Sequence, residues 1–229
     1  MTNSIDNIQR IKRLHLTCDF NDRHFLNGHE YVDLGLPSST MWGKCNVGAK
    51  EESNDGLYFS WGNIDGHDKG SLIGFGESSY NVSFDFGEAS YNASFAANMP
   101  FIQDISNSDY DMVKGNLGTP WVLPTQKDFR ELIYNCLVKT DEINGVQGKM
   151  FTSRINGKKV FFPFSGYCYR DKLYCHRYNA YYWSSTRVDN FHNFPSAMAM
   201  AITQNTIPYI KFKYEFYNGF SIRGVLKKE

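Results

Sequence analysis

Apolar side chains alternate with small, polar or charged ones along residues 198–216. The even positions carry Met198, Met200, Ile202, Ile210, Phe212 and Phe216, and the odd positions carry Ala199, Ala201, Tyr209, Lys211, Lys213 and Glu215. A period of two is typical of half-buried strands, and residues 203–206 supply a turn between two such runs. The pattern predicts a β-hairpin whose even positions face a core and whose odd positions face outward.

Helical spacing appears further towards the N-terminus. The hydroxyl of Thr125 can cap a helix, and apolar residues recur behind it at intervals of three and four, at Phe129, Leu132, Ile133, Cys136 and Leu137. This spacing predicts one amphipathic helix that packs on the sheet. A shorter helix is predicted to begin after Ser108 or Asp109 and to end within residues 115–118.

The remaining patterns are shorter. Two strands are predicted within residues 144–167, joined at Asn156-Gly157, because Asn-Gly is the strongest short hairpin signal. Residues 76–84 recur as residues 87–95, which indicates a duplicated surface hairpin or loop, because two copies are too few for a solenoid. Isoleucine and leucine recur about every three residues within residues 5–14. That pattern indicates either a helix packed on the domain or an arm for oligomerisation or attachment.

Composition favours many short strands. The chain has 18 Phe, 15 Tyr, 4 Trp and 19 Gly among 229 residues, a mixture typical of aromatic-rich strands joined by turns. All four tryptophans are predicted to lie in the core: Trp42, Trp61, Trp121 and Trp183. The 24 basic and 24 acidic residues balance, so no charge pattern favours nucleic acid as a partner.

Five irregularly spaced cysteines indicate free thiols, most of them buried, and not a disulfide scaffold. No apolar run is long enough for a secretory signal or a membrane span. Residues 14–18 superficially resemble a lipoprotein cleavage site, but basic residues precede them where an apolar segment belongs. We therefore expect neither a signal peptide, nor a lipobox, nor membrane insertion.

Several motifs occur in a fixed order that resembles a known family. They are EYVDLGLPSSTMWGKCNVGA from Glu30, GLYFSWGN, WVLPTQKDFREL, NGVQGKMF, VFFPFSGY, YYWSST and GFSIRGV. The series resembles the Fibrobacter-type major paralogous domain, abundant in Bacteroidetes and their phages, over about residues 30–226. Two positions depart from the family pattern: Val122 stands where arginine is common, and Gly224 where proline is usual.

The resemblance implies an α+β, C-type lectin-like fold, with a twisted antiparallel sheet, two flanking helices and long loops. The same fold is implied for formylglycine-generating enzymes and for the variable proteins of diversity-generating retroelements. Residues 1–29 would be an N-terminal arm or short helix and connector, and residues 30–229 a ligand-binding domain. The motifs with which true C-type lectins hold calcium and sugar are absent from the sequence.

Candidate catalytic and metal sites are weak. Cys168 and Cys175 precede YYWSST, so they do not match the cysteine pair of formylglycine-generating enzymes. The same two cysteines, together with His176 and His192, could be zinc ligands, but their spacing fits no standard zinc motif. Oxygen-bearing side chains from Asp104 to Asp111 suggest a calcium loop, but a helix cap explains them better. We expect no enzymatic activity, no cofactor and no metal.

The C-terminal segment favours ligand binding, because asparagine, tyrosine and phenylalanine combine contact area with adaptable hydrogen bonds. The candidate ligand-binding residues are Asn190, Phe191, His192, Asn193, Phe194, Asn205, Tyr209, Lys211, Lys213, Glu215, Tyr217 and Asn218. An ordinary aromatic-rich sheet face is the competing explanation. The resemblance implies retroelement diversification of this region, since most of these residue types are reachable by altering adenines in asparagine codons.

These expectations lead to one hypothesis and two alternatives. The hypothesis is a virion-associated or cytoplasmic receptor-binding or adhesin protein, plausible for a phage, whose partner is a protein or glycan on a cell surface. Residues 1–29 would allow homo-oligomerisation or attachment to a larger assembly. The alternatives are an intracellular structural or protein-interaction module without diversification, and an oxidase like the formylglycine-generating enzymes.

Overall fold

A computed structural model describes residues 23–69, 83–85, 88–90, 100–169, 172–191 and 194–228. Over these residues the chain is a strand-rich α+β protein with two α-helices. The predicted pattern at residues 5–14 lies outside the described residues, as does most of the repeat within residues 76–95. Neither described helix combines the length and the apolar composition that crossing a membrane requires.

The elements follow in chain order. The strands are β1 (His24–Leu26), β2 (His29–Val32), β3 (Met41–Gly43), β4 (Tyr58–Phe59), β5 (Ser83–Asp85), β6 (Glu88–Ser90), β7 (Cys136–Ile143), β8 (Val146–Ser153), β9 (Lys159–Pro163), β10 (Tyr167–Tyr169), β11 (Lys172–Tyr174), β12 (Asn179–Phe191), β13 (Phe194–Thr203), β14 (Tyr209–Glu215), β15 (Phe220–Ser221) and β16 (Val225–Leu226). The helices are α1 (Met112–Leu117) and α2 (Gln126–Asn135).

Three sheets form the framework. The largest has the order β14-β13-β12-β15-β4, and all its pairs are antiparallel except β12 with β15. A four-stranded sheet has the order β1-β2-β3-β16, and a three-stranded sheet has the order β7-β8-β9. The hairpins β10-β11 and β5-β6 are separate two-stranded sheets. Because β1 pairs with β2 along residues 24–31, the sheet extends into the segment interpreted from the sequence as a connector.

The predicted C-terminal hairpin is present, but one of its faces was assigned wrongly. The strands β13 and β14 pair and are joined by residues 204–208. However, Ala199 and Ala201, predicted to face outward, are fully buried, as are Met200 and Ile202 on the other face. Hydrophobic layers cover both faces of this sheet, and alternation alone does not reveal a covered second face.

Both helices begin where side chains can cap them. The Asp111 carboxylate accepts hydrogen bonds from the backbone N–H groups of Val113 and Lys114 at the start of α1. Thr125 and Asp128 form a reciprocal capping box at the start of α2, which confirms the predicted cap. The helix ends at Asn135, two residues earlier than predicted, because Cys136 adopts an extended backbone and pairs with Ser153.

Two Asn-Gly pairs lie in turns that join consecutive strands. Asn144 and Gly145 join β7 to β8 with φ angles of 52° and 75°, the left-handed conformation that a tight hairpin turn requires. Residues 154–158, which contain Asn156-Gly157, join β8 to β9 as predicted. The sequence interpretation identified the second turn and missed the first.

The tryptophans occupy two apolar layers, one on each face of the largest sheet. Trp61, Trp121 and Trp183 belong to one layer. Trp42 belongs to the other layer, where its ring lies 5.3 Å from that of Phe129 on α2. All four are fully buried, which confirms the predicted core positions.

A buried arginine joins the sheets. Arg223 is fully buried, and its guanidinium donates hydrogen bonds to Asn46 Oδ1 from Nε and Nη2, at 2.9 and 2.6 Å. The remaining N–H groups bond to the carbonyl oxygens of Gly43, Lys44 and Phe161, and the group lies 4.3 Å from the Phe162 ring. Every one of these acceptors is neutral, and burial lowers the pKa of Arg223.

Replacing Arg223 by methionine is expected to destabilise the fold by about 3–5 kcal/mol, because it leaves several buried acceptors without donors. The free energy of unfolding in urea measures this loss. Arg154 is exposed, so Arg154→Met is a matched control that we expect to change stability by less than about 0.5 kcal/mol. Equal unfolding free energies for the two variants would contradict the assigned role of Arg223.

Candidate ligand-binding face

Alanines on β13 create space for large side chains on both neighbouring strands. Ala201 pairs with Tyr181 of β12 on one side and with Tyr209 of β14 on the other. Ala197 pairs likewise with Arg187 and Tyr214. Paired residues of antiparallel strands point to the same face. Tyr181, Tyr209 and Tyr214 therefore share one face of the largest sheet, over a floor of small side chains.

The β10-β11 hairpin brings three more tyrosines to this face. The ring of Tyr167 stacks on that of Tyr174, with centroids 5.4 Å apart, and lies 5.3 Å from Tyr181 in an edge contact. Tyr169 packs 6.5 Å from Tyr174. We call this surface the tyrosine face, made of Tyr167, Tyr169, Tyr174, Tyr181, Tyr209 and Tyr214.

A buried aromatic layer supports the tyrosine face. Phe220 lies beneath it, with its ring centroid 5.2 Å from Tyr181, 4.9 Å from Tyr214 and 4.3 Å from Trp183. Stacked and edge-to-face pairs of this kind each contribute about 0.5–1.5 kcal/mol beyond their buried area. The tyrosines therefore stand on a rigid base.

Exposure varies across the tyrosine face. Tyr209 and Tyr174 are exposed, at 44% and 37%, and the other four are half-buried. Burial raises the pKa of Tyr214, and the neighbouring phenols of Tyr181 and Tyr209 raise it further. Burial is also the main cause that raises the pKa values of Tyr167 and Tyr181. These hydroxyls are therefore neutral hydrogen-bonding groups at physiological pH.

The structure brings one of the predicted binding residues, Tyr209, into this face. Asn205 is exposed in the turn between β13 and β14. For Asn190, Phe191, Phe194, Lys211 and Lys213 only the backbone is described, within strands β12 to β14. His192 and Asn193 lie outside the described residues.

Residues 190–194 were expected beside Tyr209; residues 192 and 193 lie outside the described residues, and the backbone of the other three lies elsewhere. Tyr209 flanks Ala201, which pairs with Tyr181 near the start of β12, whereas Phe191 lies at the end of that strand. Phe191 pairs with Phe194 of β13, and seven positions separate Phe194 from Ala201 on that strand, or about 23 Å at a rise of about 3.3 Å per residue.

Glu215 was predicted to project beside Tyr209, and this prediction was also wrong. A β-bulge interrupts the register between Ala197 and Ala199, so Tyr214 pairs with Ala197 and Glu215 with Ser196. The extra residue inverts the alternation, which places Glu215 on the face opposite Tyr209. The Lys211 backbone precedes the bulge and pairs with Ala199.

Tyr217 and Asn218 were predicted to lie near Tyr209 and to bind ligand, but both are buried. They are 6% and 7% exposed. The Tyr217 ring lies 6.1 Å from that of Tyr169, and the Asn218 amide donates to the backbone oxygen and to the carboxylate of Glu215. Asn218 therefore stabilises the turn that precedes β15, whereas Tyr217 packs against Tyr169 of the tyrosine face.

Five tyrosines of the face were missed: Tyr167, Tyr169, Tyr174, Tyr181 and Tyr214. One signal for them exists in the sequence. Tyr167 and Tyr169 alternate across Cys168, and the alanines of β13 alternate with larger residues, so each pattern predicts one shared face. The sequence does not predict that these two faces meet, because their meeting depends on contacts between distant segments of the chain.

Residues considered from the sequence as possible metal ligands have other roles or surroundings in the structure. The Asp111 carboxylate accepts the backbone N–H groups of Asn107 and Leu123 as well as its helix cap bonds, which confirms the helix cap. Burial is the main cause that raises the pKa of the Cys168 thiol to about 12. Among the described residues, no group of three or more histidine, cysteine or acidic side chains could hold a metal ion.

Comparison with protein-family models, with curated proteins and with solved structures gave no match for this chain.

The raised pKa values of Tyr167, Tyr181 and Tyr214 predict a loss of stability in alkali. Below about pH 10 the phenols are protonated in both the folded and the unfolded chain. As the pH rises further the unfolded chain releases its protons first, so the free energy of unfolding falls. Urea unfolding at a series of pH values measures this fall, which we expect to be smaller in Tyr214→Phe.

Phenolate absorbance supplies an independent check. At a pH just above 10, about the value at which free tyrosine ionises, the folded chain should contain fewer phenolates than the urea-unfolded chain. Coincident titration curves for the two states would contradict this assignment.

Proposed function

We propose that this chain is a non-enzymatic ligand-binding protein that recognises a protein or glycan on a cell surface through the tyrosine face. The observation that carries the proposal is the convergence of six tyrosines from four strands over a buried aromatic layer. Two of them are exposed: Tyr174, which stacks on Tyr167, and Tyr209, which flanks Ala201. A face that served only the core would bury these rings.

Tyrosine suits this role for physical reasons. Each ring supplies a large contact area, and only two side-chain torsions are fixed on binding, so the entropic cost is small. The hydroxyl adds a donor and an acceptor. Since the rings of Tyr167 and Tyr174 already stack on one another, part of this ordering is complete before a ligand arrives.

The scaffold in this proposal is a C-type lectin-like domain over residues 30–229. Its support is the ordered series of motifs from Glu30 to Val225, together with a strand-rich α+β architecture that has two described helices. The same resemblance supports a virion-associated adhesin whose C-terminal strands are diversified by a retroelement. Asn205 and Tyr209 are exposed residues of the types that such diversification produces.

The double variant Tyr174→Ala/Tyr209→Ala is expected to lose most cell-surface binding, because truncating an aromatic hot spot costs about 2 kcal/mol or more. Each such loss corresponds to about 30-fold in Kd. The measurement is flow cytometry of the fluorescently labelled full chain on a panel of intact bacterial cells. Tyr134, on α2 and 83% exposed, provides the matched control Tyr134→Ala.

The proposal requires the parent and Tyr134→Ala to bind the same cells equally and the double variant to bind at least about 30-fold more weakly. Equal binding by all three proteins would remove the tyrosine face from the recognition. If the parent bound none of the cells, the result would favour the alternative of an interaction module that does not act at a cell surface.

A further inference from the structure

The β10-β11 hairpin, which supplies half of the tyrosine face, is attached to the domain at two places. On the β10 side, the backbone of Cys168 exchanges two hydrogen bonds with Gly219, at 2.7 and 2.8 Å. On the β11 side, the chain continues from Tyr174 into a turn formed by residues 175–178. The second attachment is made by this turn.

The side chain of Asp55, in the loop that precedes β4, contacts this turn. Its carboxylate is 7% exposed, and Oδ2 lies 2.9 Å from His176 Nε2 while Oδ1 lies 3.6 Å from Arg177 Nη1. Lys69 approaches at 3.8 Å, with a side chain that is 61% exposed. Two of the three partners of this carboxylate thus belong to the end of the hairpin, and the third is a peripheral surface side chain.

The turn needs an external attachment because its backbone is unfavourable. Cys175 and Arg177 have φ angles of 52° and 68°, a left-handed conformation that costs free energy in residues other than glycine. Tyr178 N–H and Asn179 N–H donate to Cys175 O at 3.1 and 3.0 Å, Arg177 N–H donates outward to Phe164 O at 2.8 Å, and Gly166 N–H donates to Asn179 O at 2.7 Å. These bonds fix the backbone of the turn, and the Asp55 carboxylate adds two contacts to its side chains.

Gly166 shows how closely the turn approaches β10. A Cβ atom at this position would lie 2.4 Å from the Tyr174 carbonyl oxygen and 2.9 Å from the His176 nitrogen. The end of β11 is therefore packed directly against the start of β10, where Tyr167 lies. A displacement of His176 would be transmitted to the stacked rings of Tyr167 and Tyr174.

We infer that Asp55 is a positioning residue for the tyrosine face: by holding His176 and Arg177, its carboxylate fixes the end of β11 and the stacking of Tyr174 on Tyr167. Its importance for binding rests on the function proposed above, whereas its effect on the hairpin can be measured without a ligand. Asp55 lies outside the face itself, in the loop that precedes β4. It is a side chain that neither alternation nor motif analysis selects.

The test is nitration of the full chain by tetranitromethane, with each tyrosine quantified by mass spectrometry. In Asp55→Asn, which keeps the shape of the side chain and removes its charge, the rates at Tyr167 and Tyr174 should rise about threefold or more relative to Tyr134, because the hairpin opens locally. Lys69→Met is the matched control, since it removes the exposed partner and leaves the hairpin contacts intact. It should leave all relative rates unchanged.

A second pair of variants tests the contact from the other side. His176→Ala should reproduce the increase at Tyr174, and His176→Gln, which keeps an N–H donor, should restore part of the parent rate. Unchanged relative rates in both Asp55→Asn and His176→Ala would overturn the inference. A uniform rise at all tyrosines, Tyr134 included, would also overturn it, since that result indicates general destabilisation.

Cell binding separates this inference from the proposed function. If Asp55→Asn increases nitration at Tyr167 and Tyr174 but binds cells as the parent does, the positioning role stands and the assignment of ligand binding to these two tyrosines fails. If nitration and binding change together, both are supported.

Discussion

The buried guanidinium of Arg223 is the interaction on which the remaining architecture depends. Its acceptors lie at the end of β3 and directly after it, in β9 and on Asn46, while Arg223 itself lies between β15 and β16. One charged group therefore connects all three framework sheets. Because its acceptors are carbonyl oxygens and no carboxylate is among them, the charge is compensated only when all of them are in place. This requirement favours a single arrangement of the sheets.

The same network extends towards the tyrosine face. The Asn46 oxygen accepts from Arg223, and the Asn46 amide donates to the backbone oxygen of Asp55 at 2.8 Å. The Asp55 carboxylate then holds His176 and Arg177 at the end of β11. A continuous series of contacts thus joins the central charge of the fold to the hairpin that carries Tyr174. In this account the rigidity of the binding face originates in the core.

Sequence analysis predicted those features that depend on neighbouring residues. The Thr125 cap, the turn after β13 and the burial of the tryptophans follow from local spacing, and the structure confirms them. The termination of α2 at Asn135 could not be predicted, because Cys136 extends the helical pattern while pairing with Ser153 seventeen positions later. The bulge that inverts β14 beyond Lys211 leaves no signal in the alternation either.

The candidate site was predicted less well than the fold, because more of it depends on contacts between distant parts of the chain. Tyr209 was selected because it lies in a long alternating segment, whereas Tyr174 lies in a three-residue strand whose contacts are made by distant parts of the chain. Gly224 illustrates a related point. A Cβ at that position would lie 2.9 Å from the Trp121 ring and 3.0 Å from Val113, so the local packing favours glycine there.

The central claim is that recognition resides in exposed tyrosines that the fold does not need. Its most direct test is simultaneous randomisation of the two exposed tyrosines, Tyr174 and Tyr209, among serine, asparagine, histidine, phenylalanine and aspartate. Melting temperature and the set of bacterial cells bound would be measured for each variant. The account predicts melting temperatures within about 5 °C of the parent, a shift worth roughly 1–2 kcal/mol, together with changed cell preferences. Variants that unfold, or that fold and bind the same cells with the same affinity, would contradict it.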